Sequence, residues 1–247
     1  MNNSELAAPL PSESLEVTAE ERKSIVRQAV AIGVALTPFG VAFGVACNNA
    51  NLSWSQAAAF SVLVFTGGSQ FAAVGVLGDG GSPVAAVVAG LLLAVRSLVY
   101  GIVMAPWLQG SVLFRAAASQ LMIDESIAVA TAQPERIGCR RFGYLAGGLS
   151  VFFFWNVSTI FGAIVFSSAG SFLTTWGIDA TIPAAFLALL WPRLHKRDQR
   201  PVAAVGALIA FCTIPLVPAG FPIVLAVFAV VIGFRRVEEK LGAGAVR

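Results

Sequence analysis

A few ionisable side chains lie inside the apolar stretches of this 247-residue sequence. Arg96 lies near the centre of the apolar run 84–107, and Tyr100 follows it by one helical turn. An arginine in the middle of a membrane helix costs about 2.5–3.5 kcal/mol, so it is tolerated where it pairs with an acid or faces water. Asp124 and Glu125 are the acids within apolar sequence. We therefore predict an Arg96–Asp124 or Arg96–Glu125 pair, which either locks two helices together or presents charge to a ligand.

The first long apolar run, 28–47, contains Thr37-Pro38-Phe39-Gly40, with Gly44 one turn later. Proline removes a backbone donor and clashes with the preceding turn, and in lipid the freed carbonyl must find a partner or face a cavity. One interpretation is a broken helix whose exposed backbone, at Thr37, Pro38 and Gly40, builds a binding site. The other is a kinked helix that uses Gly40-x-x-x-Gly44 as a packing face.

Two further apolar runs carry polar side chains at membrane depth. Thr66-Gly67-Gly68-Ser69-Gln70 occupies the middle of 57–78, where two glycines weaken a helix and a buried glutamine amide must be hydrogen-bonded. We expect either a helix break that contacts a ligand, with Gln70 as a candidate contact, or tight helix packing. Trp155 and Asn156, with Ser158 and Thr159, lie within 144–167. They are expected to hydrogen-bond either a ligand or a neighbouring helix, and Asn156 is the candidate site residue.

Long apolar helices must position these residues. Of all residues, 57% are apolar and 12% are charged, about half the charged fraction of a soluble domain. A spanning helix needs about 20 apolar residues. The runs that reach or approach this length are 28–47, 57–78, 84–107, 144–167, 181–194, 201–217 and 219–234. We predict an all-α, polytopic helical membrane protein with about 7–8 transmembrane helices, some of them short or broken.

The segment 112–133 is ambiguous, because Gln120, Asp124 and Thr131 would form one polar stripe on an otherwise apolar helix. It either spans the membrane or lies at its interface. Basic clusters flank the apolar runs, as in cytoplasmic loops, and all of them face the cytoplasm in two arrangements. In the first, 112–133 spans; in the second, 57–78 is re-entrant and 112–133 stays cytoplasmic. We favour the extra span.

Several function classes are disfavoured by the composition. The basic residues form no continuous face, so we expect no nucleic-acid partner. A single histidine, the absence of Cys-x-x-Cys and the lack of a carboxylate cluster predict no metal site, no cofactor and no enzymatic activity. The acidic start of the chain predicts a polar cytoplasmic tail over 1–27, with a helix start at Thr18-x-x-Glu21.

Four motifs in order resemble the AzlC family of branched-chain amino-acid exporters. They are Pro38-Phe39-Gly40-Val41-Ala42-Phe43-Gly44, Phe65-Thr66-Gly67-Gly68-Ser69-Gln70-Phe71, Arg96-Ser97-Leu98-Val99-Tyr100 and Ile123-Asp124-Glu125-Ser126. The resemblance covers roughly residues 28–165 and departs at Ala94-Val95-Arg96-Ser97, where family members often have Asn-x-Arg-His.

The resemblance implies an inner-membrane subunit that, together with a small AzlD-type membrane partner, exports leucine, isoleucine and valine, with methionine as a further candidate, driven by the proton gradient. The transport domain would be 28–236, followed by a cytoplasmic tail over 237–247. Arg96 suits the carboxylate of a zwitterion, and Asp124 or Glu125 suits its ammonium group or a proton. The alternatives are a transporter of another small solute and a non-transporting structural subunit, in which Arg96 and an acid form a clasp.

Overall fold

The computed structural model describes residues 15–166, 199–217 and 221–229, together with Leu187, Leu190, Trp191, Leu194 and His195. The described residues form helices and connecting turns without a strand, which confirms the predicted all-α class. The helices are α1 (Ala19–Asn49), α2 (Trp54–Leu63), α3 (Gly68–Gly78), α4 (Pro83–Ala94), α5 (Arg96–Met104), α6 (Val112–Ser119), α7 (Asp124–Thr131), α8 (Ile137–Val165), α9 (Arg200–Thr213) and α10 (Phe221–Ala226), with a 3₁₀ turn at Val227–Ala229.

Three of the described helical segments are long and apolar enough to cross a membrane. They are α1, the nearly continuous pair α4–α5 (Pro83–Met104), and α8. Helix α1 begins at the predicted position, because Thr18 and Glu21 form a reciprocal capping box. Of the spans predicted after 166, 201–217 lies within the described residues, where α9 is a 14-residue apolar helix, shorter than a full span; 181–194 lies mostly, and 219–234 partly, outside the described residues.

Helix α1 continues through Pro38 without a break. Thr37 Oγ1 donates a long hydrogen bond, 3.4 Å, to the carbonyl of Gly33 in the preceding turn. Broken-helix exposure of backbone at Thr37, Pro38 and Gly40 is therefore wrong, and the packing interpretation is confirmed. Gly40 is buried against α8, whereas Pro38 lies exposed on the surface of the continuous helix.

Small residues allow α1 and α8 to approach closely. A Cβ at Gly40 would lie 2.0 Å from Ser158 Oγ, and one at Gly44 would lie 2.2 Å from the Thr159 carbonyl oxygen. From the other side, a Cβ at Gly162 would lie 2.3 Å from the Val41 carbonyl oxygen. Close packing of this kind is the main attraction between helices in lipid, because lipid tails are as apolar as the side chains.

The two helices run parallel, so their N-termini lie at the same end of the bundle. Arg22 lies over the ring of Phe142 near both N-termini, and Asn48 donates to the carbonyl of Ala163 near both C-termini. We name the first the basic end, because Arg136, Arg140 and Arg141 lie there as well, and the second the far end. The N-terminal arm and the basic segment 134–143 therefore share one end.

Helices α2 and α3 form a hairpin that enters from the far end, and we name residues 54–78 the first hairpin. Ala50, at the end of α1, contacts the position of Gly78 at the end of α3. The turn between the two helices reaches the middle of α8, where Phe65 packs edge-on against Phe152 with 5.0 Å between ring centroids. The run 57–78 is therefore re-entrant.

Helices α6 and α7 form the second hairpin, residues 112–131, which enters from the basic end. Near its start Arg141 lies over the ring of Phe114, and just beyond its end Gln133 donates to Gln28. Between them, Leu121 lies deeper, against Gly148. The segment 112–133 thus begins and ends at the basic end and is not the spanning helix that we favoured.

The local cause of this reversal is the sequence around Ser126. Its Oγ accepts a hydrogen bond from the Ile123 amide and donates to the carbonyls of Leu121 and Ile123, which closes a turn between α6 and α7. The expected polar stripe is therefore split, since Gln120 follows one helix and Asp124 begins the next.

Candidate functional site

The tips of the two hairpins meet in the middle of the bundle and are joined by hydrogen bonds. Gln120, at the end of α6, donates through Nε2 to the Val62 carbonyl at 2.7 Å and to the Leu63 carbonyl at 3.3 Å, at the end of α2. These are carbonyls that a helix end leaves without intrahelical partners. The Gln120 side chain, directly after α6, therefore satisfies free carbonyls at the end of α2.

Arg96 joins the same two tips from α5. Its Nη1 donates to Asp124 Oδ2 at 2.8 Å, and its Nη2 donates to the Thr66 carbonyl at 2.9 Å. Tyr100 donates its hydroxyl proton to the other oxygen of Asp124 at 2.7 Å. The predicted ion pair is confirmed with Asp124 as the partner, and Tyr100 completes what we name the Arg96 clasp, comprising Arg96, Tyr100 and Asp124.

The tip of the first hairpin requires glycine. Gly67 has a φ of 62° and a ψ of −91°, a conformation that side chains with a Cβ rarely adopt. Gln70 accepts the Gly67 amide hydrogen bond with Oε1 at 3.0 Å and thereby caps α3. Its Nε2 and the hydroxyl of Ser69 are buried and make no hydrogen bond within the described part of the chain.

A cavity of about 320 Å³ lies beside the clasp, within the size range of small-molecule sites. One part of its wall is polar and comes from both hairpin tips and α5: Thr66, Gly67, Gly68, Arg96, Asp124 and Glu125. The remaining wall is apolar: Leu36, Phe39, Phe65, Phe71, Leu93, Ile123, Val151, Trp155 and Leu190. The site is therefore suited to a small molecule with one polar and one apolar portion.

The polar wall retains capacity to bind a ligand. The side chains of Arg96 and Asp124 are 37% and 34% exposed, and a guanidinium group carries more N–H donors than the two that the clasp uses. Glu125 makes no hydrogen bond or ion pair with another side chain among the described residues. Trp155 is 5% exposed, and its buried Nε1 donates to no described acceptor.

The sequence-predicted residues divide into three groups. Arg96, Asp124 and Glu125 line the cavity. Tyr100 and Gln70 do not line the cavity but hydrogen-bond residues that do: Tyr100 donates to Asp124, and Gln70 accepts from Gly67. The remaining candidates are absent from the wall: Gly40 packs against α8, Thr37 and Asn156 hydrogen-bond within their own helices, and Pro38 is exposed.

Asn156 is directed into its own helix, because its Nδ2 donates to the Phe152 carbonyl one turn earlier at 2.8 Å. The adjacent Trp155 reaches the cavity instead. Both residues were predicted to hydrogen-bond a ligand or a neighbouring helix, but Asn156, and not Trp155, was chosen as the candidate site residue. The available signal was its indole N–H inside an apolar run, since a buried indole usually finds an acceptor.

Comparisons with known proteins agree with this architecture. The protein-family model for AzlC protein matches residues 31–169, more than half of the chain. Inner membrane protein YgaZ of Escherichia coli (strain K12) is 26% identical over 196 residues, which cover 74% of this chain and 78% of that protein. No solved structure matches the chain. Because the matched region covers more than half of the chain and includes both hairpins and all of α8, this chain belongs to the AzlC family.

Proposed function

We propose that this chain is the large subunit of a secondary transporter that exports branched-chain amino acids across the inner membrane. Leucine, isoleucine and valine are the main substrates, and methionine is a further candidate. The observation that carries the proposal is the cavity at the hairpin tips, where charged groups occupy one part of the wall and apolar side chains occupy the rest.

An amino-acid zwitterion matches the polar wall in both of its charges. Its carboxylate fits the spare N–H donors of Arg96 and the first turn of α3 at Gly68, where the backbone N–H group lacks a helical partner; the Gly67 N–H is already held by Gln70. Its ammonium group fits the carboxylate of Glu125. An amino acid placed this way leaves the Arg96 clasp intact, because Asp124 already has its own partners.

The apolar wall supports a branched aliphatic side chain. Phe39, Phe71 and Leu93 belong to three different helices and present only carbon atoms to the cavity from their side chains. A pocket of this kind discriminates weakly between chains that differ by one methylene, by about 1–3 kcal/mol. We therefore expect leucine, isoleucine and valine to compete for one site.

We also propose that transport requires a small AzlD-type membrane subunit, as the family resemblance implies. The α4–α5 segment supports this part of the proposal, because only 11% of its most apolar window is buried, against 44% in α1 and in α8. Lipid and a second subunit are the surroundings available to such a surface in a membrane.

Efflux from cells loaded with dipeptides tests the proposal. Cells that express this chain together with the small subunit should release leucine, isoleucine and valine faster than cells that express either protein alone. An excess of one of the three amino acids inside the cell should slow release of the other two. Unchanged efflux, with both proteins shown to be in the membrane, would contradict the substrate assignment.

A purely structural role for the clasp is tested by exchanging its charges. The double variant Arg96→Asp with Asp124→Arg preserves an ion pair between α5 and α7. If the proposal holds, this variant folds but does not transport, because the guanidinium has moved away from the α3 terminus. Recovery of both folding and efflux would show that the clasp holds the hairpins together and does not contact substrate.

A further inference from the structure

Two neighbouring acids at the start of α7 differ in what they contact, although both line the cavity. Asp124 accepts hydrogen bonds from Arg96 and Tyr100. Glu125 lines the cavity without a hydrogen bond or ion pair to another side chain among the described residues. We propose, building on the amino-acid transport proposed above, that Glu125 is occupied alternately by the substrate's ammonium group and by a proton.

The charges around Glu125 determine what it binds. Among the described residues, Arg96, Tyr100 and Asp124 are the titratable groups that share its surroundings, and the clasp pairs Arg96 with Asp124. The cavity residues from α1, α3 and α8 are uncharged. The polar wall therefore has one unneutralised negative charge, on Glu125, beside a largely apolar wall. A half-buried carboxylate beside apolar side chains favours a cation or a proton, because those side chains solvate its charge less well than bulk water does.

Alternate occupancy gives a coupling mechanism in which the charges balance. When an amino acid enters, its ammonium group forms an ion pair with the Glu125 carboxylate, and the proton previously on that carboxyl leaves to water. When the amino acid departs, the carboxyl takes up a proton again. If the proton is taken from one side of the membrane and the amino acid is released on that same side, one neutral zwitterion is exchanged for one proton. Asp124 is unsuited to this role, since Arg96 and Tyr100 already occupy both of its oxygens.

Proton release on binding is the direct measurement. The full chain is purified with its small subunit, placed in weakly buffered detergent solution with a pH indicator, and mixed with leucine. We expect about one proton released per leucine bound in the acidic range where the free Glu125 is protonated. In that range the affinity for leucine should increase about tenfold for each unit by which the pH is raised. The analogue 4-methylpentanoate, which lacks the amino group, should release no proton.

Variants assign the proton to its site. Glu125→Gln should release no proton, bind leucine at least about tenfold more weakly and lose the pH dependence of that binding. Glu125→Asp keeps a carboxylate, so it should retain proton release. The matched control is Glu135→Gln, because Glu135 is 79% exposed and pairs with Arg140 at the basic end; it should behave as the unchanged protein does.

The outcomes separate the two proposals. Leucine binding without proton release, or proton release that persists in Glu125→Gln, would overturn the role of Glu125 and leave amino-acid transport standing. Absence of leucine binding by the unchanged protein at every pH would overturn both. Should Glu125→Gln fail to elute as a single species, the pH dependence of the unchanged protein, the analogue and Glu125→Asp decide the question.

Discussion

Arg96 would be costly in this position without the groups that surround it. Its guanidinium contacts an acid on α7 and a backbone carbonyl at the tip of the first hairpin, Asp124 and Thr66. An arginine buried in apolar surroundings is tolerated through such contacts, so the composition of the sequence alone predicts an acidic partner. It does not select between Asp124 and Glu125, because the choice depends on how α7 begins, and that start is set by the hydrogen bonds of Ser126.

The indole of Trp155 provides a prediction at the scale of one atom. Its ring packs against Phe43 and Phe71, with centroid distances of 6.1 and 6.2 Å, while its Nε1 lacks a described acceptor. If that N–H donates to bound substrate, Trp155→Phe should weaken leucine binding by about 0.5–1.5 kcal/mol, the net worth of one hydrogen bond. Thermal stability should change little, because an aromatic ring remains.

Binding is measured by isothermal titration calorimetry and stability by thermal unfolding in detergent. Trp107→Phe is the matched control, since Trp107 lies under Arg140 at the basic end, away from the cavity wall. Equal leucine affinity in Trp155→Phe and the unchanged protein would mean that the indole N–H makes no contact with substrate.

At the scale of elements, the two hairpins repeat one construction. Each starts with a serine cap, Ser53 or Ser111, whose hydroxyl accepts an amide hydrogen bond from the third residue of the helix. Each has four residues between its helices, 64–67 and 120–123. In each, the side chain of the third residue of the second helix, Gln70 or Ser126, accepts a hydrogen bond from the backbone amide of the residue just before that helix. None of these four helices, each about 17 Å long or less, can cross a core of about 30 Å alone.

The sequence predicted part of this element structure. Glycines at 67 and 68 indicated a weak point in 57–78, and the capping residues Thr18 and Glu21 indicated the start of α1. The hairpin at 112–131 was not predicted, because Gln120, Asp124 and Thr131 have the spacing of a helical stripe. Helical periodicity survives a tight turn between two helices, so it does not show where the chain reverses.

Packing of α1 against α8 yields the next prediction. Gly44→Ala places a methyl group 2.2 Å from the Thr159 carbonyl oxygen, so the helices must separate, and we expect a loss of about 1–3 kcal/mol in stability. Gly75→Ala is the matched control, because a Cβ at this helical glycine meets nothing within 4 Å. It should be neutral or slightly stabilising. Thermal unfolding in detergent compares the two variants; an equal effect on both would mean that α1 and α8 do not pack as described.

At the scale of the whole molecule, the three crossing segments and two opposed hairpins of the described residues 19–165 explain the charge distribution in this part of the chain. Arg22 and the basic residues 136, 140 and 141 come together at the basic end because α1 and α8 run parallel. In the sequence between α1 and α8, the α4–α5 segment runs antiparallel to both and returns the chain from the far end to the basic end. Positive-inside counting alone allows two chain paths that satisfy this condition. Contacts of 112–133 with α8 select a path in which both hairpins are re-entrant.

Sided labelling of single cysteines tests this path. Cys47, Cys139 and Cys212 are first replaced, and one cysteine is then introduced at Gln109, Asp79 or Glu135, all of which are exposed. Because 109 precedes the second hairpin and 135 follows it, both should react with an impermeant maleimide from the same side. That side should be the cytoplasm, since the basic end carries the arginines.

Position 79 provides the internal control, because it follows the first hairpin at the far end and should react only from the periplasmic side. A reagent that reaches 109 and 135 from opposite sides would require 112–133 to span the membrane. It would then separate the two tips that Arg96 and Gln120 join, and with them the cavity on which the transport proposal rests. Labelling of 109 and 135 from one side and 79 from the other would instead fix both hairpins as re-entrant, which is the arrangement that places Glu125 in mid-membrane, where a proton and an amino acid could both reach it.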